Sequence, residues 1–167
     1  MNGNFEMNPV TDKNYCYVYW TPPSGWQFEG HYATVLVSSY CQEWGNRVAA
    51  PSGSFYLAVE SFGGGATSTS LKQSVVVPPG LVGISLTLQF YMSKRLDELA
   101  SSSVAVKVNS AVSRTIALTS GFTRYSINTP AATSTMTIQF DDVSPISGDY
   151  SYLIDDITLS LAMPTSK

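Results

Sequence analysis

The stretch at residues 150–161 alternates between two kinds of side chain, as expected of a β-strand with one face packed. One set of alternate positions is mainly aliphatic and contains a carboxylate: Leu153, Asp155, Ile157, Leu159 and Leu161. The alternation therefore predicts that Asp155 points inward. A buried carboxylate is costly unless it is paired or binds a metal, so we expect a partner for Asp155.

Similar alternation recurs along the chain, in short segments separated by turn-forming Gly, Pro, Ser and Asn residues. It predicts apolar faces in the segments 82–93, 103–109 and 134–140, and a short first strand at residues 2–7. The segment 141–149 is predicted to be a loop, in which Asp141 and Asp142 would be solvated. About ten short strands at this spacing indicate one antiparallel two-sheet β-sandwich, a single domain spanning residues 1–167.

Composition excludes several classes of partner. Only 13% of the 167 residues are charged, and the formal net charge is −3, which argues against binding to a phosphate backbone. No apolar run approaches the roughly 20 residues that a membrane-spanning helix needs. Met1 is followed by Asn-Gly-Asn, without the basic and apolar regions of a signal peptide. We therefore expect no nucleic-acid partner and no membrane insertion.

Several ordered blocks resemble the galactose-binding-like jelly rolls that include many carbohydrate-binding modules. They are Asn2-Gly-Asn-Phe-Glu6, Pro23-Ser-Gly-Trp26, the segments 50–57 and 71–80, Gly121-Phe-Thr-Arg-Tyr-Ser126 and Tyr152-Leu-Ile-Asp-Asp-Ile157. Together these blocks span most of the chain. The resemblance implies a jelly-roll sandwich with Trp26 packed in it, and the fold alone does not specify a ligand.

The resemblance also implies a structural calcium ion where the first and last strands meet. Glu6 and Asp155 would supply carboxylate oxygens, and Asn4 and the turn at Ser52 would supply backbone carbonyls. Calcium takes six to eight oxygen ligands of these kinds. In the alternative, Asp155 only accepts hydrogen bonds from backbone amides or from a basic side chain.

Glycan binding by a sandwich would use aromatic rings flanked by amides and charged groups. One candidate location is the outward face of the sheet built from the long central strands, which would carry Gln89, Tyr91, Lys107 and Arg124. The other is a loop rim containing Trp44, with Tyr19, Trp20 and Tyr40. Ordinary packing is an equally good explanation for Tyr91 and Trp44.

Catalytic signatures are sparse in this sequence. His31 is the single histidine, and there is no Gly-x-Ser-x-Gly motif. Cys16 and Cys41 lack metal-ligand spacing, and they could be reduced or joined in a disulfide. We therefore do not expect an enzyme.

Two functions remain, from different classes. The first is a non-catalytic carbohydrate-binding module that recognises a polysaccharide or other glycan. The second is a structural or assembly protein, such as a virion decoration or fibre subunit, in which the sandwich contacts neighbouring protein subunits. The Tyr-rich segment at residues 15–20 favours the second function, because Tyr and Trp are enriched at protein interfaces as well as in sugar sites, whereas the resemblance favours the first. Both place the protein outside the cell or on a virion surface.

Overall fold

The structure is a computed structural model that describes residues 3, 5–6, 17–19, 23–30, 34–38, 49–62, 69–95, 102–144 and 149–161. Within these ranges the chain forms eleven β-strands and one short 3-10 turn, Pro79–Leu81. The strands are β1 (Tyr17–Tyr19), β2 (Gln27–Glu29), β3 (Thr34–Ser38), β4 (Phe55–Phe62), β5 (Ser70–Val76), β6 (Ser85–Lys94), β7 (Ser103–Val108), β8 (Ala111–Ala117), β9 (Thr123–Ala131), β10 (Thr135–Asp142) and β11 (Asp149–Leu161). No helix in this part of the chain is long and apolar enough to cross a membrane.

The strands form two sheets. One has six strands in the order β1-β3-β4-β11-β6-β9, and the other has five in the order β2-β5-β10-β7-β8. Every pairing between named strands is antiparallel. The predicted all-β, two-sheet sandwich of jelly-roll type is therefore confirmed.

The core lies between the sheets and follows the alternation in the sequence. In β6 the side chains of Leu86, Leu88, Phe90 and Met92 are buried, and the residues between them up to Tyr91 are partly exposed. The same pattern places Val104, Val106 and Val108 of β7 and Met136, Ile138 and Phe140 of β10 in the core. Each such side chain contributes about 1.5–3 kcal/mol of transfer free energy.

Trp26 joins this core, as the resemblance implied. Its ring centroid lies 6.1 Å from that of Phe5 and 6.4 Å from that of Phe140. The N-terminal segment therefore contributes a side chain to the core. The described residues of that segment are not in a strand, however: Gly3 and Glu6 lie in turns and Phe5 has a φ of 55°. The predicted first strand was wrong for these residues.

A β-bulge in β11 changes the predicted orientation of Asp155. Ile154 pairs with Met92 and Asp155 with Tyr91, but the pairing then resumes at Thr158 opposite Gln89. Asp156, within the bulge, has a φ of 49°. Because the bulge shifts the alternation, Ile154 and Ile157 both enter the core and Asp155 points to the outer face. Its burial, at 0% exposure, agrees with the prediction, whereas the predicted inward direction was wrong.

Candidate functional site

The N-terminal segment is docked on the bulge of β11. The N–H of Ile157 donates a hydrogen bond of 2.9 Å to the carbonyl oxygen of Gly3. A Cβ atom at position 3 would overlap the backbone carbonyl group of Ile157, so the contact requires glycine. The docking brings the side chain of Glu6, three residues later, beside β4 and β11.

Glu6 is held by the turn that precedes β4. Its Oε1 accepts hydrogen bonds from the backbone N–H groups of Ser54 and Phe55, both at 2.8 Å. Gly53 has a φ of 67°, and a Cβ atom there would overlap the Glu6 carboxyl group. The turn therefore combines a left-handed glycine with two amides that point at one carboxylate oxygen.

Asp155 lies next to this arrangement and is fully buried. Its Oδ2 accepts a hydrogen bond of 3.0 Å from Ser52 N–H, and its Oδ1 accepts one of 2.7 Å from Asp156 N–H. Burial raises the pKa of Asp155 to about 7, the two amides oppose this rise, and the charges of Asp156 and Glu6 add to it. Asp155 and Glu6 are thus close enough to repel each other when both are ionised.

Three of the four predicted metal-site residues meet here: Glu6, Ser52 and Asp155. The contact found for Ser52 is made by its N–H, and Asn4 lies outside the described residues. No group of three or more His, Cys, Asp and Glu side chains suited to a metal occurs within the described ranges. Each carboxylate offers about four lone-pair positions, so the amide bonds leave acceptor capacity for a cation. The pair fits calcium, which accepts carboxylates together with backbone carbonyls. The amide contacts also fit the alternative without a metal.

The outer face of the six-stranded sheet brings together Gln89, Tyr91 and Arg124. Tyr91 of β6 is directly opposite Arg124 of β9, and Arg124 Nη2 donates a hydrogen bond of 2.8 Å to Gln89 Oε1. Tyr91 is half-buried and Arg124 is exposed. We call these three residues the Tyr91 cluster. It adjoins the carboxylate pair, because Tyr91 is paired with Asp155 on its other side.

Part of this outer face is closed by a small aromatic contact that the sequence did not indicate. The Tyr56 and Phe122 rings meet edge to face at 5.4 Å, and Tyr56 is 0% exposed. Burial raises the pKa of Tyr56 to about 12. Among the described residues, the outward side chains of β6 up to Tyr91 and of β9 up to Asn128 are partly or fully exposed, and the Tyr91 cluster lies among them.

Lys107 was expected on the same face, and this expectation was wrong. It belongs to β7 of the five-stranded sheet, and its Nζ lies 2.5 Å from Asp141 Oδ2. Alternation shows which residues point outward, but it does not show which sheet a strand joins. The chain crosses between sheets from β6 to β7. Trp44, the other predicted ligand residue, lies outside the described residues, as do His31, Cys16 and Cys41.

The outer face of the five-stranded sheet carries a row of polar side chains across four strands. Direct pairings join Gln27 to Lys72, Lys72 to Gln139, and Gln139 to Lys107. Beside this row lies Asp141, which was predicted to be a solvated loop residue. It instead lies near the end of β10 and is 4% exposed, so that prediction was wrong. The alternation of β10 could have been extended by one polar position beyond Gln139, to Asp141. Nothing in the sequence, however, marks where the strand ends.

The sequence matches no protein-family model and no curated protein. Solved structures with the same architecture are nevertheless found. The carbohydrate-binding module TmCBM61, in complex with β-1,4-galactotriose, is 18% identical, with 96% of each chain covered and a TM-score of 0.63. The C-terminal family 22 carbohydrate-binding module of a Clostridium thermocellum protein is 11% identical, covers 96% of this chain and 92% of its own, and also has a TM-score of 0.63.

The chain has the fold of the carbohydrate-binding modules. A further match is the K3 cleaved adhesin domain of Lys-gingipain from Porphyromonas gingivalis, 13% identical over 97% of this chain and 98% of that chain, with a TM-score of 0.58. At these identities the likeness concerns the fold. The recognition of a galactose-binding-like sandwich similar to carbohydrate-binding modules is confirmed.

Proposed function

We propose that the protein is a non-catalytic glycan-binding module. The observation that carries the proposal is the Tyr91 cluster on the outer face of the six-stranded sheet, where a half-buried tyrosine adjoins an exposed arginine bonded to an amide. Structures of the same fold support it, because TmCBM61 was solved with β-1,4-galactotriose and the Clostridium thermocellum module is described by the ligand-binding role of its cleft.

In this proposal the Tyr91 ring provides an apolar surface for a sugar ring, and its hydroxyl provides a polar contact. Arg124 and Gln89 donate and accept hydrogen bonds at the sugar hydroxyls. The same two strands continue the polar surface, because Ser126 lies opposite Gln89 and Asn128 opposite Thr87. These side chains would extend the contact beyond one sugar.

We further propose that Glu6 and Asp155 hold a calcium ion with backbone carbonyls, including that of Ser52, and with Asn4. The ion would supply positive charge to two carboxylates that otherwise repel each other in a buried place. Its role would be structural. It would join the N-terminal segment to β11. The Gly3–Ile157 hydrogen bond already holds these two elements together.

The glycan proposal is tested by measuring binding of β-1,4-galactan and xylan by affinity electrophoresis and calorimetry. Tyr91→Ala and Arg124→Ala are each expected to weaken binding about tenfold, since an aromatic contact or a hydrogen bond from a charged group contributes about 1–2 kcal/mol. Arg114→Ala is the matched control, because Arg114 is also exposed on an edge strand but lies over Tyr125, 5.8 Å from its ring centroid. Unchanged binding of Tyr91→Ala and Arg124→Ala would contradict the assignment to this face.

The second candidate function, assembly with neighbouring subunits, is favoured by three exposed large apolar side chains, at the ends of β5 and β11 and just before β6. Val76 is 81% exposed, Leu161 is 54% and Ile84 is 42%, unusually high values for large apolar side chains. Both functions would operate outside the cell or on a virion surface. Light scattering distinguishes them, because a stable multimer without affinity for any glycan would favour assembly.

A further inference from the structure

One apolar segment crosses an end of the sandwich from one sheet to the other. β5 ends at Val76 in the five-stranded sheet, and β6 begins at Ser85 in the six-stranded sheet. From the last residue of β5 to the first of β6, the sequence Val76-Val-Pro-Pro-Gly-Leu-Val-Gly-Ile84 contains no polar side chain. Connections on a protein surface are ordinarily polar, so this composition is unusual. We call residues 76–84 the crossing segment.

The crossing segment is held firmly against the connection between β9 and β10. The N–H of Val77 donates a hydrogen bond of 3.0 Å to the carbonyl oxygen of Ser134. The N–H of Gly83 donates one of 2.7 Å to the Ala132 carbonyl, and the N–H of Ala132 donates one of 2.9 Å to the Ile84 carbonyl. Because the backbone is already fixed, binding through this segment costs little conformational entropy.

Four apolar side chains at this end of the sandwich are nevertheless exposed. Val82 is 46% exposed, and Val76, Ile84 and Leu161 are exposed as well. Leu161 of β11 belongs to the same end, because it is paired with Leu86, two residues after Ile84. Single exposed apolar side chains are common, whereas neighbouring ones mark an interaction surface. We call Val76, Val82, Ile84 and Leu161 the apolar end.

The strands and connections that meet at the apolar end carry no charge. Residues 73–93, 125–140 and 157–161 contain no Asp, Glu, Lys or Arg, and the formal net charge of −3 comes from other parts of the chain. In a two-fold contact the same surface patch of both subunits meets, so any net charge on it is repeated and repels itself. An uncharged apolar surface avoids this repulsion and suits contact with its own copy.

The same lack of charge disfavours a lipid surface as the partner. Segments that bind to membrane surfaces combine exposed apolar side chains with Lys and Arg, which attract anionic head groups. The crossing segment and the strands that flank it, residues 73–93, have neither Lys nor Arg. A protein surface of the same apolar character is therefore the better match.

We propose that the apolar end joins two copies of this chain in an isologous dimer. The inference rests on assembly, the second candidate function, and names its partner and its surface. It does not depend on glycan binding, and the two functions are compatible. Tyr91 lies about 20 Å along β6 from Ser85, the residue next to the crossing segment, so the Tyr91 cluster stays outside the contact.

The test is sedimentation velocity of the full chain over a range of concentrations. A small apolar interface should give a dimer with a dissociation constant of about 10–100 μM. The double variant Val76→Glu with Val82→Glu should raise that constant more than about tenfold, because carboxylates of both copies would be brought together. Val112→Glu with Val143→Glu is the matched control. It adds the same charge at two other exposed valines, 59% and 47% exposed, and should dimerise like the unchanged protein.

A mixing experiment tests whether the partner is the same surface of a second copy. Val76→Lys with Val82→Lys should also be monomeric by itself. Mixed at low salt with the variant carrying Val76→Glu and Val82→Glu, it should form a heterodimer, because opposite charges then face each other. A mixture that stays monomeric would show that the contact does not join two apolar ends.

The remaining outcomes separate this inference from the functions proposed above. Dimerisation of the unchanged protein should not weaken between about 50 and 500 mM NaCl, since no charges take part. A multimer that persists in Val76→Glu with Val82→Glu would retain assembly and reject this surface. A protein that is monomeric at every concentration would reject both and leave glycan binding, which Tyr91→Ala tests separately. If that monomer bound phosphatidylcholine vesicles and lost this binding in the Glu variant, the apolar end would be a lipid contact and the proposal would be overturned.

Discussion

The two outer faces of the sandwich each bury an aspartate, and they satisfy it in different ways. On the six-stranded sheet Asp155 is 0% exposed and is contacted by the backbone N–H groups of Ser52 and Asp156. On the five-stranded sheet Asp141 is 4% exposed and is contacted by the side chains of Lys107 and Gln139. One carboxylate is covered by distant chain segments, whereas the other is paired across neighbouring strands.

The two aspartates therefore have different structural roles. Asp155 and Glu6 connect the N-terminal segment, the turn before β4 and the bulge of β11, so their contacts hold the fold together. Asp141 is held within one sheet by residues that directly adjoin it, and its partner Lys107 remains accessible. Substitutions near Asp155 should therefore mainly change how the N-terminal segment is held, and substitutions near Asp141 should mainly change side-chain pairing across the five-stranded sheet.

The largest expected effect is at Gly3. Gly3→Ala would place a methyl group against the Ile157 carbonyl, and this backbone contact cannot relax without displacing the N-terminal segment. We expect a loss of more than about 3 kcal/mol in the free energy of unfolding, measured by urea denaturation. Gly80→Ala is the control, because a Cβ atom there meets nothing within 4 Å. Equal stability of the two variants would show that the N-terminal docking contributes little.

The next effect is the pH dependence caused by Asp155. Its folded-state pKa of about 7 lies above the ordinary value of 3.8 for an aspartate, so the folded state holds the proton more tightly than the unfolded state does. Stability from this group is therefore greatest below pH 4, falls as the pH rises, and levels off above pH 7. Between pH 5 and pH 8, in the presence of EDTA, we expect a loss of about 2–3 kcal/mol. Asp155→Asn should remove that slope.

Calcium should oppose this loss, since it binds the ionised carboxylates. At pH 8, calcium at about 100 times its dissociation constant should restore about 2.7 kcal/mol, seen as a rise in melting temperature. The rise should be absent in Asp155→Asn and Glu6→Gln. If added calcium leaves the melting temperature of the unchanged protein as it was, the amides alone satisfy the two acids.

The smallest expected changes in stability are those caused by replacing two lysines of the five-stranded sheet. Lys107→Met should cost about 1–2 kcal/mol, because it leaves the buried Asp141 carboxylate without its ammonium partner, although partial exposure of Lys107 reduces the effect. Lys72→Met should change stability by less than about 0.5 kcal/mol, because the side chain of its partner Glu29 is 61% exposed. Thermal denaturation of both variants checks this ranking, and a reversed order would contradict it.

Much of the fold could be predicted from the sequence because its signal is local. The alternation in β6, β7 and β10 identified the core faces, and turn-forming residues separated the strands. The same alternation failed in β11, where the bulge at Asp156 allows Ile154 and Ile157 to enter the core together. A bulge inserts one residue into the pairing, and the local sequence around Asp155 and Asp156 did not mark it.

The candidate sites were predicted less completely. Resemblance brought Glu6, Ser52 and Asp155 to one place, and alternation placed Gln89, Tyr91 and Arg124 outward. The sequence did not show that Lys107 lies on the opposite sheet or that Asp141 is its partner. Those contacts join residues 34 positions apart through the β10–β7 pairing, and strand order in a sheet depends on how the whole chain packs.

By itself, the sequence determined the fold class, the apolar faces of the long strands and the burial of Asp155. Only the tertiary structure decided which face Asp155 occupies and which groups surround it. It also showed that Lys107 lies on the opposite sheet from the Tyr91 cluster. The physical reason is that side-chain alternation is set by backbone geometry within one strand, whereas the partners of a buried charge come from segments that meet only after the sheets have formed.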